Sequence, residues 1–266
     1  MDWLQVIVLA VVQGFTEFLP VSSSAHLILV PALTSWDDQG LAFDVALHMG
    51  SLLAVIAYFR REIFTMLQSS FAALRGKAVD RDARLALGVA LATLPVCVIG
   101  LLLHDVVKEH MRSTLIIGVA LIGFGLLLGY ADWGRHGSRD EYQLRWRDIA
   151  LIGLAQALAL IPGTSRSGIT ITAALMLGMS REAAARFSFL LSIPVTVLAG
   201  GMEAITLSRQ AAPVDWLTLL SGTALAGISA YLCIHLFLAF IKRLGMQPFV
   251  LYRIVLGVWL LWLFYG

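Results

Sequence analysis

The sequence is poor in charge. Asp, Glu, Lys and Arg make up 14% of its 266 residues, where a soluble domain carries about 25%. Hydrophobic residues reach 59% and mean hydropathy is +0.85. That balance excludes an ordinary soluble enzyme, which would have too little polar surface to face water. The two cysteines, Cys97 and Cys233, both lie inside apolar runs. This argues against a disulfide framework and a thiolate metal centre, and each reads as small apolar filler. No Gly-x-x-x-x-Gly-Lys run is present, which removes P-loop chemistry. A net charge of +2 with no basic face sets nucleic acid aside as a partner. After Met1-Asp2-Trp3 the chain turns apolar without a basic leader or a small-residue cleavage site. Residue 4 onward is therefore expected to be mature, membrane-embedded protein.

Six apolar stretches are long enough to cross a bilayer, at about 20 residues each. They are 41–59, 85–103, 114–131, 185–205, 216–240 and 248–265. Two more apolar segments, 4–33 and 149–178, are interrupted. The first breaks at Pro20-Val21-Ser22-Ser23-Ser24-Ala25-His26, just after Glu17, and the second at Pro162-Gly163-Thr164-Ser165-Arg166-Ser167-Gly168. Irregular backbone at membrane depth is tolerated only where protein or a water-filled cavity surrounds it. Each segment therefore predicts a re-entrant helix–loop–helix hairpin. The expected fold is an all-α integral membrane protein with six transmembrane helices and two re-entrant hairpins.

Charge placement orients this layout. With the polar 60–84 stretch taken as a cytoplasmic loop, fourteen Lys/Arg fall on the cytoplasmic side, 132–148 included. Three, Lys108, Arg112 and Arg209, fall on the other side. The bias obeys the positive-inside rule and puts both termini outside. The two hairpins also resemble each other. Gln13 and Gln156 each begin an apolar run that reaches a proline and then a serine cluster, and about 20 residues later Phe43 and Phe187 open a span. Three spans separate the hairpins, so the second unit is expected to be inverted, with the two tips meeting near the midplane. One membrane domain, 1–266, would then hold a repeat of about 1–131 and another of about 149–266.

The tips carry the chemistry. Gln13 and Glu17 are four apart and share a helix face. Ser22, Ser23 and Ser24 can cap the returning helix, whose amides and positive dipole end would point at the cavity, with His26 on its first turn. The second tip offers Gly163, Thr164, Ser165, Ser167, Thr170 and Arg166. An arginine at a helix centre costs about 2.5–3.5 kcal/mol on insertion scales, so an anion or a carboxylate should offset it. A guanidinium fork beside two helix starts suits a phosphate or diphosphate, and a divalent cation could bridge it to Glu17. The blander reading is a structural Arg166–Glu17 pair, with the hydroxyls as helix–helix glue. Arg253 reads as structural. His48, His104, His110, His136 and His235 read as packing or loop residues.

At these residues the chain resembles the undecaprenyl-diphosphate phosphatase family, the bacitracin-resistance type of integral membrane phosphatase. The family's first pattern is met at Gln13, Glu17 and Pro20-Val21-Ser22-Ser23-Ser24-Ala25-His26. Its second, Pro-Gly-x-Ser-Arg-Ser-x-x-Thr, is met at Pro162, Gly163, Ser165, Arg166, Ser167 and Thr170. Gly50-Ser51-Leu52, Arg186-Phe187-Ser188-Phe189 and Pro248-Phe249 with Tyr252-Arg253 extend the similarity along nearly the whole chain. Gln13 replaces the glutamate of many members, and His48 stands where a glutamine is expected.

The resemblance implies removal of the terminal phosphate from a C55 polyprenyl diphosphate, recycling the lipid carrier of cell-wall synthesis. It also implies a divalent cation, Mg2+ or Ca2+, and an inner-membrane site open to the periplasm. Glu17 with Gln13 would bind the cation. Arg166, Ser165, Ser167 and Thr170, together with Ser22, Ser24, Gly163, Thr164 and helix-start amides, would hold the diphosphate. Two routes stay open: attack by Ser23 with His26 as base, or His26 acting on a metal-polarised water. Membrane lipids are the surrounding partners, and a homodimer stays open. The competing class is a transporter or flippase for a polyprenyl phosphate lipid, which opposed hairpins fit equally well.

Overall fold

The computed structural model describes residues 1–34, 36–103, 107, 111, 113–133, 137–208 and 215–265. The expectations for His104, His110, His136, Lys108, Arg112, Arg135 and Arg209 lie outside the described residues. Eleven helices carry the described chain. They are α1 Trp3–Phe18, α2 Ser23–Leu33, α3 Leu41–Tyr58, α4 Arg60–Leu74, α5 Arg81–Leu102, α6 Thr114–Asp132, α7 Trp146–Ala157, α8 Arg166–Met176, α9 Arg181–Ser208, α10 Trp216–Leu244 and α11 Gln247–Tyr265. Among the described residues there is no β-strand, only an isolated bridge between Arg139 and Met179. Six helices, α3, α5, α6, α9, α10 and α11, are long and apolar enough to cross a membrane. They coincide with the six expected spans.

The polar stretch 60–84 is not simply a loop. Its first fifteen residues form α4, an amphipathic helix that buries Met66 and packs on α5. Charge density hid it, because an interfacial helix needs only one apolar stripe. Asp80 then caps α5 by accepting from Ala83 N at 2.9 Å, so that helix starts four residues before the apolar run does.

The halves of the chain interlock. From the second half, α10 packs on α1 and α3, while from the first half α5 packs on α7 and α9. The pair α6 and α11 close on each other, and α3 meets α9. The α1–α10 approach is close because of Gly14. A Cβ there would run into Ser229 Oγ and sit 2.6 Å from Ala226 O. Small residues that let backbones touch are the usual glue of membrane helices. An aromatic chain ties these layers together. Phe18, at the end of α1, meets Phe189 edge-on at 5.2 Å, and Phe189 meets Phe237 at 5.8 Å. Phe237 in turn meets Phe249 at 5.3 Å. Phe18 is also the residue after Glu17, so this core fixes the end of the helix that presents the carboxylate.

Candidate active site

Both interrupted segments break where their sequences demand it. α1 stops at Phe18, with Leu19 extended ahead of Pro20, as a residue before proline prefers. α7 ends at Ala157, passes through a short turn over Leu158–Leu160, and meets Pro162-Gly163. Gly163 takes φ 91, and a Cβ there would sit 2.6 Å from Ile117 O. The helix after each break starts behind a serine in left-handed backbone: Ser22 at φ 74 before α2 and Ser165 at φ 70 before α8. Ser165 Oγ caps its helix by accepting from Gly168 N at 3.1 Å. Ser22 makes no such cap. The two helix starts share one cavity of about 230 Å³, lined by Glu17, Ser22, Ser23, Ser24, Ser165, Arg166 and His48, with part of α9 from Val195 to Glu203.

Glu17 is the hub. Its Oε2 accepts from Ser23 Oγ at 2.7 Å and from Gln13 Nε2 at 3.0 Å. Its Oε1 accepts from Arg166 Nη2 at 3.0 Å. His48 Nε2 stands 3.8 Å from Oε2. Arg166 is held from the other side, since Nη1 donates to Ser188 O at 3.0 Å. Thr170 Oγ1 is 2.7 Å from Ser188 Oγ and donates to Arg166 O at 2.8 Å, which fixes the turn that carries the arginine. A carboxylate this enclosed is affordable only because it is paired and hydrogen-bonded.

The predicted residues therefore divide. Glu17, Ser22, Ser23, Ser24, Ser165 and Arg166 meet around the cavity. Gln13 is fully buried behind Glu17, with its Oε1 unpartnered. Ser167 Oγ donates to Leu19 O at 2.8 Å, stitching one tip to the other. Thr164 is fully buried with an unpartnered Oγ1, and Gly163 contributes its carbonyl to Arg253. His26 is near in sequence but faces elsewhere. Its Nδ1 is 2.7 Å from Ser22 O and its Nε2 is 2.6 Å from Tyr252 OH, the two rings stacked at 5.7 Å.

Sequence reasoning gave no site role to Ser188, Tyr252 and Glu203 and read His48 as a packing or loop residue, whereas His48 lines the cavity beside Glu17. A titratable residue inside an apolar span was the available signal for His48 and Glu203. Arg253 was read as structural, and its environment agrees. It is fully buried, and its guanidinium donates to five carbonyls: Pro20 of the first tip, Gly163 and Thr164 of the second, and Ala120 and Leu121 of α6.

The donor set can take a divalent cation in one way. Among the described residues no three His, Cys, Asp or Glu side chains gather to hold a metal ion. The carboxylates of Glu17 and Glu203, the hydroxyls of Ser22, Ser23, Ser24 and Ser165, and the His48 imidazole nevertheless line the same cavity. Such a partial set suits an ion that completes its coordination with substrate phosphate oxygens.

A family model described as bacitracin resistance protein BacA matches residues 6–259. A protein of Thioalkalivibrio sulfidiphilus named undecaprenyl-diphosphatase is 55% identical over 266 residues, covering both chains completely. One of the same name from Nitrosococcus oceani is 55% identical over 99% of this chain and all of its own. A protein of Stutzerimonas stutzeri named undecaprenyl-diphosphatase 2 is 58% identical, again over the whole of both chains.

Proposed function

The chain belongs to the bacitracin resistance protein BacA family, and from that membership we propose that it is an undecaprenyl-diphosphate phosphatase. It converts undecaprenyl diphosphate to undecaprenyl phosphate, and so returns the lipid carrier to cell-wall synthesis and lowers bacitracin sensitivity. The cavity volume supports the division of the substrate. About 230 Å³ is below the usual range of pockets for drug-sized ligands, roughly 300–1,000 Å³. It holds the diphosphate head, while the prenyl tail runs along apolar helix surface.

One observation carries the chemistry: Ser23 Oγ donates to Glu17 Oε2 at 2.7 Å while Arg166 holds Oε1. In our reading Ser23 Oγ attacks the terminal phosphorus as Glu17 accepts its proton. The bond from that phosphorus to the bridging oxygen breaks, undecaprenyl phosphate leaves, and water then hydrolyses the phosphoserine. Arg166, Ser165 and the amides that start α2 and α8 neutralise the phosphoryl oxygens, which is most of what phosphoryl transfer asks of a protein. His26 is not the base in this reading, because both its ring nitrogens have other partners. Glu17 would hold a divalent cation, which would supply further charge neutralisation. Gln13 would orient Glu17 from behind.

We read the two broken segments as re-entrant hairpins of an inverted repeat, with the cavity open to the periplasm and both termini on that side. Charge supports this orientation. The cavity wall on α9 is its second half, from Val195 to Glu203. At its first half Arg181 pairs with Asp132 and Arg186 with Glu141, in the Arg-rich end that belongs in the cytoplasm.

The transporter reading keeps one observation in its favour. Behind the first tip, Phe15 and Leu19 line an apolar groove of about 1040 Å³ with Lys242 and Arg243 at one end. Phosphate release from undecaprenyl diphosphate by detergent-purified protein, run beside Ser23→Ala, decides between them. Release by the parent and none by the variant supports the phosphatase. Lipid binding without release by the parent supports transport.

A further inference from the structure

His48 lies on α3, away from both tips, yet it lines the same cavity as Glu17 and Ser23. Its orientation is fixed. Nδ1 is 2.8 Å from Asp44 O, one turn back along its own helix. A carbonyl only accepts, so Nδ1 carries the proton and the Nε2 edge faces the cavity. That edge stops 3.8 Å from Glu17 Oε2, beyond hydrogen-bond reach. Glu17 already accepts from Arg166, Ser23 and Gln13, so it needs no further donor.

A ring held at Nδ1–H by a backbone carbonyl, with Nε2 presented to a carboxylate, is the arrangement in which histidine binds metal ions. Two ligands at about 2.1 Å from one ion stand roughly 3.0–3.4 Å apart. A closure of about half an ångström by a partly exposed imidazole would bring His48 Nε2 and Glu17 Oε2 to that spacing.

We infer that His48 Nε2 is a metal ligand beside Glu17, and that this site takes a divalent transition-metal ion of the Mn2+ class in preference to Ca2+. The inference rests on the phosphatase reading for the remaining ligands, which are phosphate oxygens and water. Its chemistry does not depend on turnover. Calcium and magnesium favour oxygen ligands throughout, whereas an imidazole shifts a mixed site toward the transition metals.

The test uses the full-length protein in detergent and Mn2+ as the probe. Pulsed electron paramagnetic resonance of bound Mn2+ should show modulation from a directly coordinated imidazole nitrogen in the parent and none in His48→Gln. Mn2+ affinity should fall about tenfold or more in His48→Gln, in the range that loss of a metal-supporting group produces, while Ca2+ affinity stays within about twofold. Bound Mn2+ without nitrogen modulation in the parent would overturn the inference, and so would equal Mn2+ affinity in the two proteins. Phosphate release, measured in parallel, separates the two levels of argument. Nitrogen modulation without release would refute the phosphatase and keep the ligand. Release without nitrogen modulation would do the reverse.

Discussion

Ser22 and Ser165 adopt the same left-handed backbone, at φ 74 and φ 70, and each precedes a helix of eleven residues. Each follows a buried glutamine by nine positions, Gln13 in one case and Gln156 in the other, and both glutamines leave Oε1 unpartnered. The residue after each serine is the one that engages Glu17: Ser23 in the first tip and Arg166 in the second. The two broken segments are thus the same device with different chemistry at one position. One supplies a hydroxyl and the other a cation.

The two serines should nevertheless respond differently to truncation. Ser165 Oγ caps Gly168 N, and loss of such a cap costs about 1 kcal/mol. Ser22 caps nothing, so Ser22→Ala should leave stability within about 0.5 kcal/mol of the parent. Ser165→Ala should lower it by about 1 kcal/mol. Thermal or denaturant unfolding in one detergent compares the two. Equal losses would mean that the cap contributes nothing.

Arg166 should not be replaceable by lysine. Its two terminal nitrogens serve Ser188 O and Glu17 Oε1 at once, and an ammonium cannot reproduce that planar fork. Both Arg166→Lys and Arg166→Ala should lower phosphate release about 100-fold or more, the scale of losing a preorganised charge-stabilising donor. Size-exclusion profiles should stay unchanged. Lysine activity within a few-fold of the parent would reduce Arg166 to a point charge.

Much of this was legible before any coordinates. The six spans are a matter of hydropathy, and proline, serine and glycine mark the two breaks, because backbone cannot leave the helix inside a bilayer without protein around it. The pairing of Glu17 with Arg166 was the blander of two readings drawn from the cost of a charge in an apolar segment, the other being an anion held by Arg166. Local spacing could not reveal partners that are distant in the chain. His26 sits three residues from Ser23, which suggested a base and nucleophile. Its ring instead meets Tyr252 on α11, and the hydroxyl's partner is Glu17, six residues earlier. His48 was hidden for the same reason, since nothing in α3 records which tip it faces.

The His26 geometry gives a direct kinetic contrast. If Glu17 takes the Ser23 proton, Ser23→Ala and Glu17→Gln should each lose about 1,000-fold or more in phosphate release, as nucleophile and base act as a unit. His26→Asn should lose about tenfold, and Tyr252→Phe should lose a similar amount, because each removes the same hydrogen bond. A phosphoenzyme trapped by acid quench should vanish in Ser23→Ala and in Glu17→Gln and persist in His26→Asn. A collapse in His26→Asn equal to that in Ser23→Ala, with Tyr252→Phe silent, would return the base role to the histidine.

Arg253 gives the largest expected effect on stability. Its five carbonyl acceptors span both tips and α6, and its side chain is closed off from solvent. Each buried polar group left unpaired costs about 1–3 kcal/mol. Arg253→Met nearly keeps the volume but strands the three tip carbonyls, Pro20, Gly163 and Thr164, while Ala120 O and Leu121 O keep their bonds within α6, so it should destabilise the protein by at least about 3 kcal/mol. Arg253→Lys brings three donors at most. It should recover part of that loss, because a carbonyl of each tip can still be reached, but not all of it. Activity should fall with stability in both variants, since the same carbonyls set the angle at which Ser23 and Arg166 leave their turns. Unfolding midpoints in detergent should therefore rank the parent above lysine and lysine above methionine. A methionine variant as stable as the parent would mean that water or a backbone shift satisfies those carbonyls, and that the two tips are held together by Glu17 and Arg166 instead.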